Sequence, residues 1–196
     1  MRIISGRARG TNLYTLEGME TRPTLDRVKE SLFNIINERI YDSQVLDLFS
    51  GSGAIGLEFA SRGAKEVLLC DKSKKATEII QKNIQKTHLE ENVKLYNCDF
   101  KELLQKIKNK KFDFIYLDPP YKTNYIKEAI EEIIKLNIKD EEGFIIAETD
   151  EPDRLEDNIK NLDVKIVDKR KYGRAFVLLL KKVNRKEENW WKYIPY

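Results

Sequence analysis

The sequence predicts an α/β protein built on a mostly parallel β-sheet with helices on both faces. Three observations lead to this prediction. Short apolar runs alternate with amphipathic stretches from residue 44 to residue 149, which is typical of consecutive βα units. A glycine-rich turn joins the first apolar run to the first helical stretch. The C-terminal part then changes to two strand-like runs joined at Tyr172-Gly173, which predicts an antiparallel hairpin.

Each element follows from its own pattern of apolar and polar residues. The predicted strands are QVLDLFS, KEVLLCD, NVKLYNCD, FDFIYLD and GFIIAET, followed by DVKIVDKRKYG and RAFVLLLKK in the hairpin. The predicted helices are TRPTLDRVKESLFNII, AIGLEFASR, SKKATEIIQKNIQKT, FKELLQKIK and YIKEAIEEIIKL. The segment RIISGRARGTNLYTL predicts a small N-terminal hairpin. We therefore expect an extension over residues 1–20, a main domain over 21–184 and an aromatic tail over 185–196.

The charge distribution favours a polyanionic partner. The chain has 196 residues and a formal net charge of only +3, but its basic residues concentrate at both ends. Arg2, Arg7 and Arg9 stand in an acid-free N-terminal stretch, and residues 169–186 hold eight basic residues and no acid. Such patches attract nucleic acid. We find no apolar run that would cross a bilayer and no signal peptide, so a cytoplasmic protein is expected.

The cysteines and the histidine do not indicate a metal site. Cys70 and Cys98 lack the close spacing of metal ligands and each follows an apolar run, so buried, reduced thiols are expected. His88, the only histidine, follows a helical stretch and is predicted to lie at the surface. Neither a histidine-based metal site nor a Ser-His-Asp triad has the partners that it needs.

The turn after the first strand has the pattern G-x-G-x-x-G, formed by Gly51, Gly53 and Gly56. Glycines let a ligand approach the backbone at a helix N-terminus. The pattern alone fits NAD, FAD or S-adenosylmethionine (SAM), and a turn that simply packs is the structural alternative.

Three acids favour SAM among these ligands. Asp47 lies inside the first strand, where a carboxylate would repel a pyrophosphate but attract the sulfonium and ammonium groups of SAM. Asp71, at the end of the second strand, is placed to accept hydrogen bonds from ribose hydroxyls. Asp99, at the end of the third strand, is a candidate acceptor for the adenine amino group. A helix N-cap is the alternative role for Asp71 and Asp99.

The fourth strand runs directly into Asp118-Pro119-Pro120-Tyr121. The prolines end the strand because they have no N–H, and they leave nearby carbonyl oxygens free to accept hydrogen bonds. A carboxylate beside such carbonyls suits the exocyclic amino group of a nucleobase, and Tyr121 offers a face for stacking. A turn in which Asp118 caps the next helix is the structural alternative.

Taken together, the motifs resemble those of the RsmD family. The resemblance is carried by RIISGRARGTNL, TRPTLDRVKESLFN, LDLFSGSGAIGLEFASRGA and FIYLDPPY, in this order. It implies a Rossmann-like class I methyltransferase fold with a seven-stranded sheet, SAM as cofactor, and methylation of guanine N2 in 16S rRNA of an assembled or partly assembled 30S subunit. The tail WWKYIPY departs from the family pattern.

The resemblance and the motifs together define the candidate site. The catalytic candidates are Asp118, Pro119, Pro120 and Tyr121. The cofactor-binding candidates are Asp47, Phe49, Gly51, Gly53, Asp71, Lys72, Asp99, Phe100, Thr24 and Arg27. The RNA-binding candidates are Arg7, Arg9, Arg22, Lys171 and Arg174. The protein is expected to act as a monomer without a metal.

Three other functions remain open at this point. A DNA amino-methyltransferase would share the Asp118 motif, although the chain leaves little room for a separate target-recognition region. An NAD-dependent oxidoreductase would explain the glycines and Asp71 but not Asp47 or Asp118. A non-catalytic rRNA-binding assembly factor would have no need for the intact motif.

Overall fold

The computed structural model describes residues 1–16, 23–120 and 123–183, without the side chains of residues 23–27. The strands are β1 (Gln44–Asp47), β2 (Glu66–Cys70), β3 (Val93–Tyr96), β4 (Phe112–Leu117), β5 (Lys139–Thr149), β6 (Val164–Tyr172) and β7 (Ala175–Lys182). The helices are α1 (Pro23–Ile36), α2 (Ala54–Ser61), α3 (Lys74–Thr87), α4 (Phe100–Lys106), α5 (Tyr125–Leu136) and α6 (Pro152–Ile159).

The seven strands form one sheet in the order β3-β2-β1-β4-β5-β7-β6. The five strands from β3 to β5 are parallel, whereas β7 runs antiparallel to both of its neighbours. The predicted fold class is therefore confirmed. The strand order reverses direction between β1 and β4, which pair with Asp47 opposite Tyr116. Ligands of such sheets bind beyond the carboxyl ends of the strands at this reversal.

Side-chain alternation along the strands divides the core between the two faces of the sheet. Val45 packs in a cluster with residues of α1, α2 and α3, whereas its neighbour Leu46 packs with residues of α4, α5 and α6. Both strand residues are fully buried. Because β1 and β4 are central and covered on both faces, the residues at their carboxyl ends are held in fixed positions.

The N-terminal segment packs on the main domain and contains a single β-bridge, between Arg2 and Asn12, instead of two predicted strands. Ile3, Ala8 and Leu13 are buried in the cluster on the α1 side. This segment therefore shares the core of the main domain. The domain boundaries at residues 20 and 184 remain a prediction.

A buried carboxylate joins the N-terminal segment to two helices. Glu58 of α2 is fully buried, and its two oxygens lie 3.0 Å from Lys29 Nζ and 2.9 Å from Arg62 Nε. The same oxygens accept hydrogen bonds of 2.8 and 3.0 Å from the backbone N–H groups of Ile4 and Ser5. Each lone-pair direction of this carboxylate thus has a donor, as a buried charge requires.

Several elements differ from the sequence prediction. Helix α6 was not predicted, and β5 begins at Lys139, ahead of the predicted GFIIAET. Strand β3 ends at Tyr96, so Asp99 does not end a strand. Cys70 is buried as expected but Cys98 is only half-buried. His88 is exposed at the C-terminus of α3, as predicted.

The predicted tail 185–196 lies outside the described residues. Among the residues that are described, no helix is long and apolar enough to cross a membrane.

Candidate active site

The glycine turn lies between the carboxyl end of β1 and the start of α2. Gly51 and Gly53 have φ angles of 55° and 79°, in the left-handed region that glycine adopts without strain. A Cβ on Gly53 would stand 3.2 Å from Ile80, whereas no atom lies within 4 Å of that position on Gly51. A Cβ on Gly56 would lie 2.1 Å from Leu69, so this glycine lets α2 pack closely on β2. The turn is open to a ligand at Gly51.

Asp71, one residue beyond β2, holds the turn in place. Its carboxylate accepts hydrogen bonds from the N–H groups of Gly51 (3.0 Å) and Ser73 (2.8 Å), one on each oxygen. The N-cap of α3 is Ser73, whose hydroxyl accepts from Ala76, so the capping alternative for Asp71 is wrong. Each oxygen of Asp71 keeps further acceptor capacity, and its half-buried position leaves it accessible to hydroxyl donors.

Asp47 is a buried carboxylate that lacks a partner for one oxygen. It is 1% exposed, and Asp47 Oδ1 has no hydrogen-bond partner within the described part of the chain. Burial raises its pKa to about 7, despite hydrogen bonds that involve Phe49, Ser50 and Gly56. A carboxylate held in this way at the turn is an acceptor for a donor or cation supplied from outside the protein. This orphaned oxygen is the observation that best fits a cationic cofactor.

An aromatic wall stands beside the turn, at the start of α4 and α5. Phe49 and Phe100 have ring centroids 5.1 Å apart, and Tyr125 stacks on Phe49 at 6.2 Å. Lys72 Nζ lies 5.3 Å from the centre of the Tyr125 ring. Asp99 caps α4 by accepting from Lys101 N–H at 2.9 Å, which confirms its capping role and leaves a ligand contact possible. The wall provides a flat apolar surface of the kind that an adenine ring requires.

Asp118 extends the site from β1 to the end of β4. Burial raises the pKa of Asp118 well above its usual range, and the nearby carboxylates Glu148 and Asp47 raise it further. The pKa of Glu148 is also raised by burial, although the hydrogen bond from Tyr116 opposes this rise. The sheet therefore brings together three carboxyl groups at the carboxyl ends of β1, β4 and β5.

A cavity opens beside the two prolines, between the ends of β4 and β5 and the helices α5 and α6. Its lining includes Pro119 and Pro120, together with Asn124 and Arg154. Arg154 bonds Asn124 Oδ1 at 2.9 Å and Glu151 at 2.7 Å. The cavity thus places polar side chains around the prolines that follow Asp118.

Comparison with known proteins identifies the family. Residues 1–181 match the family described as Conserved hypothetical protein 95. The chain belongs to this family. YlbH of Bacillus subtilis is 35% identical over 184 residues, which cover 93% of this chain and 99% of YlbH. Ribosomal RNA small subunit methyltransferase D of Haemophilus influenzae is 36% identical over 152 residues, which cover 76% of this chain and 79% of that protein.

The solved structure of YhhF from Escherichia coli has a TM-score of 0.78 with this chain, at 26% identity, and covers 93% of this chain and 98% of its own. These matches confirm that the protein is an RsmD-family methyltransferase. The oxidoreductase alternative is therefore without support.

The predicted RNA-binding residues of this RsmD-family protein fall on opposite edges of the sheet. Lys171 and Arg174 are exposed at the β6–β7 turn, beside the carboxyl end of β5, because Thr149 pairs with Phe176. They thus share an edge with the candidate active site.

Arg7 and Arg9 are also exposed but lie at the amino ends of the strands. Arg7 N–H donates to Ser61 O at the end of α2, and its side chain donates to Asn92, just before β3. A six-residue strand spans about 20 Å, so the two basic groups are well separated.

Four predicted residues cannot be assigned a position in the site. Tyr121 and Arg22 lie outside the described residues, and the side chains of Thr24 and Arg27 in α1 are likewise not described. Their roles remain predictions.

Sequence reasoning missed Glu148, Tyr116 and Tyr125. Glu148 is an acid near the end of an apolar strand, the same signal that singled out Asp118, and it was overlooked in the run GFIIAET. Tyr116 and Tyr125 gave no signal beyond a strand and a helix.

Within the described ranges 1–16, 23–120 and 123–183, no group of three or more His, Cys, Asp or Glu side chains is arranged to hold a metal ion.

Proposed function

We propose that this methyltransferase transfers a methyl group from SAM to the N2 amino group of a guanine in 16S rRNA of the small ribosomal subunit. The observation that carries the proposal is the juxtaposition of Asp118-Pro119-Pro120 with Asp47 at the glycine turn, where one Asp47 oxygen has no partner in the described part of the chain. The relative from Haemophilus influenzae named Ribosomal RNA small subunit methyltransferase D supports the rRNA substrate. The choice of guanine N2 follows from the resemblance of the motifs.

The cofactor would be held by residues on three neighbouring strand ends. When bound, SAM supplies a methyl carbon activated by its sulfonium, with a neutral thioether as the leaving group. Asp47 would accept from its cationic amino-acid part, Asp71 from its ribose hydroxyls and Asp99 from its adenine. The remaining contacts would come from Phe49, Gly51, Gly53, Lys72 and Phe100, with Thr24 and Arg27 as further predicted contacts.

The target amino group would be held by acceptors at the end of β4. The nitrogen of such a group is a weak nucleophile because its lone pair is delocalised into the ring. Asp118 and the nearby carbonyl oxygens accept from its hydrogens and favour a tetrahedral nitrogen whose lone pair is available. Positioning of this kind can supply roughly 7–11 kcal/mol of the barrier. Tyr121 would stack on the base, as predicted from the sequence.

The substrate would be single-stranded rRNA in an assembled or partly assembled 30S subunit, in the cytoplasm, bound by a monomer. Unpaired bases are accessible without opening a duplex. Lys171 and Arg174 flank the catalytic edge and would contact phosphates; Arg7, Arg9 and Arg22 are further predicted contacts.

The test is methyl transfer from labelled SAM to 30S particles purified from cells that lack this protein. Naked 16S RNA and duplex DNA serve as alternative substrates, and the methylated nucleoside is identified after digestion. We expect N2-methylguanosine on the particle. Methylated adenine or cytosine in DNA would instead establish a DNA amino-methyltransferase, and bound SAM without transfer to any substrate would favour an assembly factor.

An Asp118→Ala variant tests the role of the motif. We expect SAM binding to remain while the rate of transfer falls by about 10²–10⁴. Full activity of the variant would remove Asp118 from the mechanism.

A further inference from the structure

A row of polar side chains continues from half-buried Asp118 to the next strand of the sheet. Strands β4 and β5 are parallel with Leu117 opposite Ala147, so Asp118 and Glu148 are the next residues on the two strands. Tyr116 lies two residues before Asp118 and therefore on the same face. Its hydroxyl donates a hydrogen bond of 2.7 Å to Glu148 Oε2. Glu148 is only 5% exposed, so this contact fixes its carboxylate beside Asp118.

Among the residues that the structure describes, the neighbouring strands bring no positive charge to this pair. On β1 the neighbouring ionisable group is Asp47, another acid. On β7 Val177 lies opposite Glu148. The first cation along the row is Arg170, opposite Val177 on β6, and its guanidinium is bound to Asp168 at 2.9 Å.

The helix side chains that are described add no direct partner either. Lys29 of α1 lies on Glu58, as described above. Four charged residues share the lining of the cavity at the strand ends with Glu148: Lys127, Asp150, Glu151 and Arg154. Among them Arg154 is paired with Glu151. Within the described part of the chain, the only side-chain hydrogen bond to the Glu148 carboxylate is the one from Tyr116.

Two neighbouring carboxyl groups with no cation between them, as here in the described part of the chain, titrate as a pair. The Tyr116 hydroxyl favours the ionised form of Glu148. The charge on Glu148 in turn raises the pKa of Asp118, after the larger effect of burial. Glu148 is thus the more readily ionised member of the pair, which favours Asp118 as the holder of their shared proton. Asp118 would lose that proton when a cation at Asp47 offsets one of the charges that raise its pKa.

We propose that Glu148, held by the Tyr116 hydroxyl, is a positioning residue whose negative charge makes Asp118 the acceptor of the proton lost by the target amino group. This inference rests on the methyl transfer proposed above. The amino nitrogen uses its lone pair for the new N–C bond, the electrons of the broken C–S bond stay on sulfur, and one N–H proton moves to Asp118. Asp118 then loses this proton to solvent when the cofactor cation of the next turnover binds, so that the pair returns to the charge from which transfer began.

The first test measures the coupling without any substrate. Carboxyl-carbon NMR of the full chain, labelled in Asp and Glu, follows the titration of Asp118, assigned with Asp118→Asn. In Glu148→Gln, which keeps the side-chain shape, the Asp118 midpoint should fall by roughly one pH unit or more. An unchanged midpoint would overturn the inference.

The second test follows single-turnover methyl transfer to 30S particles across pH. Removal of the Glu148 charge makes Asp118 a weaker base, so Glu148→Gln should slow transfer by up to about 10-fold for each pH unit by which the Asp118 midpoint falls. The acidic limb of the rate profile should also move to lower pH, whereas a merely structural defect would lower the rate without moving the limb. Tyr116→Phe provides a second variant, in which the hydroxyl that favours ionised Glu148 is absent. Glu148→Asp keeps the negative charge and should recover part of the transfer rate that Glu148→Gln loses.

The matched control is Glu151→Gln, the same substitution in the same cavity at a residue paired with Arg154. It should leave the limb of the profile in place. Equal shifts in both glutamine variants, or superimposable profiles of Glu148→Gln and wild type, would refute the role of Glu148. An inactive wild-type protein whose Asp118 midpoint still depends on Glu148 would instead refute the proposed methyl transfer and leave the pairing established.

Discussion

Replacement of Asp47 by asparagine should stabilise the free protein and weaken SAM binding. Asparagine has nearly the same shape as aspartate but carries no charge. Asp47 is 1% exposed and has one oxygen without a hydrogen-bond donor in the described chain. Burial of ionised Asp47 therefore destabilises the folded protein until the cofactor binds. The substitution removes this destabilisation and also removes the contact with the cofactor.

The pKa of Asp47 gives the size of this cost. It rises from 3.8 to about 7 on folding, and each unit corresponds to about 1.36 kcal/mol. Because the folded protein holds this proton more tightly than the unfolded chain, its stability falls as pH rises from near 4 to near 7. The penalty relative to a neutral side chain is about 2 kcal/mol at pH 5 and reaches about 4 kcal/mol at pH 8.

Urea unfolding at pH 5 and pH 8 measures this difference. Asp47→Asn should be more stable than wild type at both values, with a gap that widens by about 2–3 kcal/mol from pH 5 to pH 8. The control is Asp42→Asn, an exposed residue with φ of 59°, a conformation that asparagine tolerates. It should show no such widening. A variant less stable than wild type at pH 8, or a gap independent of pH, would refute the assigned burial cost.

The same carboxylate links cofactor binding to pH. SAM should bind wild type with release of close to one more proton at pH 6 than at pH 8, because a cation selects the ionised form of Asp47. Calorimetry in buffers of different ionisation enthalpy measures this release. Loss of a charge-assisted contact worth about 1.5–3 kcal/mol should weaken binding to Asp47→Asn roughly 10- to 150-fold. Equal affinity in the two proteins would exclude Asp47 as a contact.

Three further predictions concern the N-terminal segment and the basic hairpin. Gly6→Ala should lower the free energy of unfolding in urea by several kcal/mol more than Gly10→Ala. Both glycines have a left-handed φ, but only at Gly6 would a Cβ meet backbone, 1.9 Å from Ser61 O. Equal losses of stability in the two variants would contradict this. Glu58→Gln should cost about 3–5 kcal/mol because it leaves Lys29 and Arg62 without their buried partner, and a loss below about 1 kcal/mol would show that the network relaxes. Lys171→Ala with Arg174→Ala should reduce the salt slope of RNA binding by about 1.4–1.8, with a smaller change for the Arg7 and Arg9 pair; the reverse order would place the RNA at the opposite edge.

The fold was predictable to the extent that apolar periodicity is local. The parallel strands and the helices between them were found, because each carries its own pattern over several residues. Helix α6 was missed because its eight residues, PDRLEDNI, bury only Pro152, Leu155 and Ile159, too few to stand out from a charged loop. The N-terminal segment was predicted as two strands because Ile3 and Leu13 are apolar. These side chains pack in the core on the α1 side and do not belong to a sheet.

The location of the basic residues could not be derived from their positions in the sequence. Arg7 and Arg174 both belong to acid-free basic segments, but the first docks at Ser61 and the second directly precedes β7, which is antiparallel to β5. The direction in which each segment runs over the folded domain decides at which edge of the sheet its basic residues lie.

The acids of the site show that an acid at the end of an apolar strand becomes informative about the site once the sheet topology is known. Asp47, Asp118 and Glu148 are far apart in the sequence, and each stands at or next to the end of an apolar strand. In a parallel sheet such positions meet at one edge, and a carboxylate there does not interrupt the ladder of the strand that supports it. Applied to all five parallel strands, the criterion that selected Asp118 also selects Glu148. This criterion cannot predict the hydrogen bond from Tyr116 to Glu148, because that contact depends on the register of β4 against β5. The same register decides which acid is held ionised and which receives the proton.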